Sequence, residues 1–127
     1  MKLRILDNSL RLRVTQTELT TIAGEGESKA SIEFGGDAVL HYVLSADESI
    51  ENIEATYADD VVSVRLPAAK LREWTTTELV SLRGEQALDD GSTLSILVEK
   101  DFACLEPREG EDESDMFPHP EGVAKNC

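Results

Sequence analysis

The stretch MKLRILDNSLRLRV, residues 1–14, decides how the rest of the chain is read. Residues 2–6 and 10–14 alternate apolar and polar side chains, and Asp7-Asn8-Ser9 between them can hydrogen-bond to their own local backbone. This is the pattern of a tight β-hairpin. Leu3, Ile5, Leu10, Leu12 and Val14 point to one face, and Lys2, Arg4, Arg11 and Arg13 point to the other. Four cations thus share one face over about 15 Å of strand, at roughly 3.3 Å per residue. They would repel one another unless something negative meets them.

Working outward from the hairpin, Thr15 and Glu18 have the spacing of a capping box, with Val14 and Leu19 placed as a hydrophobic staple. A helix of about two turns follows, which Gly24 can end in a left-handed cap. Residues 30–34 and 38–44 read as strands joined by Gly35-Gly36-Asp37, where glycine accepts positive φ. The second of these is apolar on both faces, which places it centrally in a sheet. Residues 52–57 and 61–66 form a further hairpin around Ala58-Asp59-Asp60, and Pro67 opens a short helix in which Leu71 and Trp74 share a face. Residues 79–83 and 93–99 supply the last pair of strands. The expected fold is mainly β (α+β): an antiparallel meander sheet folded as a roll or incomplete barrel, with two short helices. Residues 1–105 read as the β-rich domain. Residues 106–127 read as an irregular acidic tail that packs back on it through Met116 and Phe117.

Composition narrows the partners. A formal charge of −14 repels phosphate backbones and anionic lipid surfaces, so no nucleic acid is expected. No apolar run approaches the roughly 20 residues that span a bilayer, and the N-terminal alternation lacks the apolar core of a secretory signal. A cytoplasmic protein, monomer or homodimer, is the expectation.

Two places carry candidate chemistry. On the basic face, Arg4, Arg11 and Arg13, joined by Arg65 and Arg83, offer planar forks to a phosphate- or carboxylate-bearing ligand. The competing account is internal pairing with Glu33, Glu51, Glu54 or the acidic tail, for which 26 acidic residues are available. Antiparallel tunnel enzymes acting on triphosphates have a similar lining, but their alternating N-terminal glutamates followed by lysine are missing. At the C-terminal end, Cys104, His119 and Cys127 are a thiolate–imidazole set of the kind zinc prefers. No C-x-x-C or H-x-x-x-H pair pre-organises them, and the same cysteines also fit a disulfide or free, partly buried thiols. His41 lies on a strand without a recognisable serine–acid pair. No nucleophile elbow, P-loop or dinucleotide fingerprint occurs, so binding is favoured over catalysis.

MKLRILDNSLRLRVTQTE and LSILVEKDFACLEPR, with EDESDMFPHP and the final Cys127, resemble a family of small bacterial proteins known only as a domain of unknown function. The resemblance implies no activity, ligand or catalytic residue. The reading of the residues themselves is a small-anion-binding module using the basic hairpin face. A metal-binding or redox protein using Cys104, His119 and Cys127, and a protein-interaction domain, are the alternatives.

Overall fold

The computed structural model describes residues 1–102 and 114–118. Eight strands and two helices follow one another in the order β1 (Lys2–Leu6), β2 (Ser9–Val14), α1 (Gln16–Glu25), β3 (Glu27–Glu33), β4 (Val39–Asp47), β5 (Glu54–Ala58), β6 (Val61–Pro67), α2 (Ala68–Thr76), β7 (Ser81–Ala87) and β8 (Thr93–Lys100). The fold is mainly β, with two four-stranded sheets and no closed barrel. Each sequence-predicted hairpin forms. Positive φ at Asp7, Gly35, Gly36, Asp59 and Asp60 makes the tight turns.

The hairpins are not joined as a continuous meander. The first sheet runs β1-β2-β8-β7 and the second β3-β4-β6-β5. In each, two antiparallel hairpins meet through a parallel pair of their second strands, β2 with β8 and β4 with β6. Burial explains the order. Val64 and Leu66 of β6 and Val98 of β8 are completely buried, with Ile96 nearly so, whereas Tyr57 of β5 and Arg83 and Glu85 of β7 are exposed. In the β3–β4, β5–β6 and β7–β8 hairpins the more apolar strand takes the central place and its more polar partner the edge, whereas β1 and β2 are similarly apolar and β2 is the more buried.

The two sheets share one core built from Leu12, Val14, Leu44, Val64, Leu66, Ile96 and Val98, closed by Leu19 and Ile22 of α1 and Leu71 and Trp74 of α2. Helix α1 has the full capping box: Thr15 accepts from the Glu18 amide, and the Glu18 side chain accepts from the Thr15 amide. It continues through Gly24 and stops at Gly26, whose φ of 84° lets its amide return to the Ile22 carbonyl at 2.9 Å. The β5 edge is sealed against β7 by the Gln86 amide, which accepts from the Ala55 N–H at 2.7 Å and donates to the Ala55 carbonyl at 3.1 Å.

Residues 114–118 lie against α1 and the end of β8. The Gln16 N–H donates to the Asp115 carbonyl at 3.0 Å, and Asp115 Oδ1 accepts from the Thr17 amide and hydroxyl. Met116 is buried, and Phe117 packs edge-on against Phe102 with ring centroids 5.7 Å apart. Asp115 therefore supplies negative charge and an acceptor to the free amides at the start of α1. Asp115→Ala is expected to lower the unfolding free energy by about 1 kcal/mol, the usual loss for a capping side chain. Urea titrations of both proteins would measure it. An unchanged midpoint would deny the cap any role in stability.

Candidate anion-binding cleft

Strand register lays out the outward face of the first sheet in rows. Lys2, Arg13, Glu99 and Ser81 form one row, Arg4, Arg11, Leu97 and Arg83 the next, and Leu6, Ser9, Ser95 and Glu85 the third. Alternation puts these side chains outside because their neighbours Leu12, Val14, Leu82, Ile96 and Val98 are in the core. The middle and third rows enclose a cleft of about 220 Å³. Arg4 from β1, Arg11 from β2 and Arg83 from β7 all line it.

The first row explains how much of the basic face is internally neutralised. Glu99 accepts from Arg13 Nε at 2.6 Å and lies 3.5 Å from Arg11 Nε. Lys2 sits 3.2 Å from Asp101 Oδ2, an ion pair without good hydrogen-bond direction, and Asp101 is almost wholly buried. Among the described residues, Glu99 at the end of β8 and Asp101 just after it are carboxylates that meet the hairpin. Glu33 and Glu54 belong to the second sheet, where Glu54 pairs with Arg65 at 3.1 Å. Arg65 is therefore remote in topology from the cleft. Arg13 lies one row away from it, engaged by Glu99. Arg4 and Arg83 have no ion pair among the described residues.

A guanidinium group has five N–H donors in a planar fork and no acceptor. What the cleft offers is hydrogen-bond donors in forked pairs. Hydroxyls of Ser9 and Ser95 border it, and Glu85 Oε2 accepts from Ser95 Oγ at 2.8 Å. The guanidinium groups supply binding chemistry, and Ser95 with Glu85 adds a hydroxyl–carboxylate hydrogen bond at the other end of the cleft.

Two further titratable groups lie outside the cleft. Lys100 is buried, and desolvation lowers its pKa, with nearby Glu78 opposing the shift. Its Nζ donates to the Thr77 carbonyl at 2.8 Å and stands 5.6 Å from the Phe117 ring centroid. His41 is exposed on the outward face of the second sheet, in a shallow depression beside Lys29 and Ser63. A second cleft, about 260 Å³ and mostly apolar, opens where Ile5 and Leu10 of the first sheet approach Tyr57 and Val62 of the second. Ile5, read as an inward residue, is 63% exposed because the sheets do not cover each other at this end.

Among the described residues no cluster of three or more His, Cys, Asp or Glu is placed to hold a metal ion. Cys104, His119 and Cys127 lie outside the described residues. No helix of the described chain is long and apolar enough to cross a membrane.

The family model described as "Family of unknown function (DUF7009)" matches residues 1–121. No curated protein and no solved structure matches the chain.

Proposed function

We propose, starting from the premise that the chain belongs to this family of unknown function, that the outward face of its first sheet binds a small phosphate- or carboxylate-bearing anion. One observation carries the reading: Arg4, Arg11 and Arg83, from three strands, line a single cleft, and two of them lack an ion pair among the described residues of a chain with charge −14. In so acidic a protein, arginines left over from internal pairing mark the place where an external anion completes the electrostatics. Arg11 and Arg83 flank Leu97 in the register, so an anion above Leu97 is within reach of both forks, with Arg4 closing from the edge strand. Arg13 contributes indirectly by holding Glu99 at the neighbouring row.

Inorganic phosphate, titrated at constant ionic strength, is expected to raise the melting temperature saturably, with about 2.7 kcal/mol of added stability at 100 times its Kd. The double substitution Arg11→Ala with Arg83→Ala is expected to abolish the rise. A native response no larger than that to sodium chloride would overturn the reading and leave the face as a solvated one.

A further inference from the structure

The same cleft carries two features that an inorganic anion does not use. Leu6 and Leu97 are the large apolar side chains on the outward face of the first sheet, and both line the cleft. Leu6 is 59% exposed, an unfavourable place for a leucine that nothing covers. Glu85 occupies the third row, two residues along β7 from Arg83, or roughly 7 Å by strand rise. Its Oε2 accepts from Ser95 Oγ, and Glu85 itself lines the cleft.

The charge pattern therefore changes along the cleft. The arginine row attracts a negative group, whereas the Leu6–Ser9–Ser95–Glu85 row repels a second one. A polyanion lying across both rows would set one of its charges against Glu85. A ligand with one anionic head and an apolar body satisfies both rows: the head meets Arg4, Arg11 and Arg83, and the body covers Leu6 and Leu97. A hydroxyl or amine on the body would find acceptors in Glu85 and the serine hydroxyls.

Resting on the anion-binding reading above, we infer that the ligand is an organic acid or phosphomonoester with a compact apolar body, such as an aryl or short acyl group. Inorganic polyanions are disfavoured by Glu85.

Calorimetric titration of the full chain with inorganic phosphate and with phenyl phosphate, at matched ionic strength, tests this. Phenyl phosphate is expected to bind about tenfold tighter, the gain from covering on the order of 60 Å² of apolar surface. Leu6→Ser, on an exposed edge-strand position that tolerates the change, is expected to bring the ratio of the two affinities close to one. Leu97→Thr should do the same where circular dichroism shows it folded. Arg83→Ala should weaken both probes. Equal affinities in the native protein, with Arg83→Ala still weakening phosphate, would overturn the apolar-body inference and leave the anion site standing. Binding of neither probe would remove both.

Discussion

Leu12→Asp is expected to unfold the protein at room temperature, while Arg13→Ala, one residue away, leaves it folded with a loss of about 1 kcal/mol. Leu12 is 1% exposed and stands between Leu3 of β1 and Val98 of β8. A carboxylate there would sit in the shared core of both sheets without a partner, at a cost of several kcal/mol on top of the lost leucine packing. That is a large part of the stability of a domain this size. Arg13 points the other way and loses only its contact with Glu99, a pair that keeps partial access to solvent. Thermal melts followed by circular dichroism would separate the two. Similar shifts for both variants would contradict the assignment of faces, and with it the placement of Arg4 and Arg11 in the cleft.

That assignment was legible in the sequence because a period of two is a local property. The hairpin of residues 1–14, the capping box at Thr15 and Glu18, and the glycine turn at Gly35-Gly36 all depend on neighbours within a few residues, and each is found in the structure. The pairing of second strands to second strands was not legible. It depends on which of two similar hairpin strands buries more, and that becomes clear only when both sheets close over a common core. For the same reason the sequence placed Arg83 only loosely beside the hairpin arginines, although β7 brings it into their row through Leu97. The partner of Arg13 was missed too: Glu99 is 86 residues away along the chain and adjacent only through the β2–β8 parallel register.

One available signal went unused. Residues 79–83 read as a strand ending before Gly84, yet β7 runs from Ser81 to Ala87 with Gly84 inside it. A Cβ at Gly84 would lie 2.8 Å from Ile53 Cβ, so the glycine marks where the segment before β5 presses against β7. Glycine inside an otherwise extended pattern is the usual mark of such an approach. Together with the Gln86 bridge to Ala55, it closes the two sheets along one side. Beside this bridge the apolar cleft lined by Ile5, Tyr57 and Gln86 itself stays open, and Ile5 and Tyr57 are exposed. In the sequence this uneven cover could be read only as alternation, which does not say where a face is covered.

Trp74→Ala is expected to cost about 3–5 kcal/mol, the range for deleting a large buried aromatic. Trp74 is completely buried on the face of α2 that it shares with Leu71, and its indole Nε1 donates to the Val80 carbonyl at 2.9 Å. The indole thus does two things at once: it fills the space beneath α2, and it satisfies a backbone acceptor in the connection that leads into β7. Alanine would leave a cavity and remove one of the two hydrogen bonds that the Val80 carbonyl accepts, the other coming from the Lys100 amide, so the defect would reach the end of β8. Trp74→Phe retains most of the volume and removes only the donor, and about 1–2 kcal/mol is expected from it. Urea unfolding followed by far-ultraviolet circular dichroism measures all three proteins on one scale, since the only tryptophan is lost in both variants. If phenylalanine proved as costly as alanine, the hydrogen bond to Val80 would outweigh the packing of the ring. If alanine cost under about 1 kcal/mol, the typical shift for a surface change or less, α2 would not be part of the cooperative core that positions β7 and its Arg83.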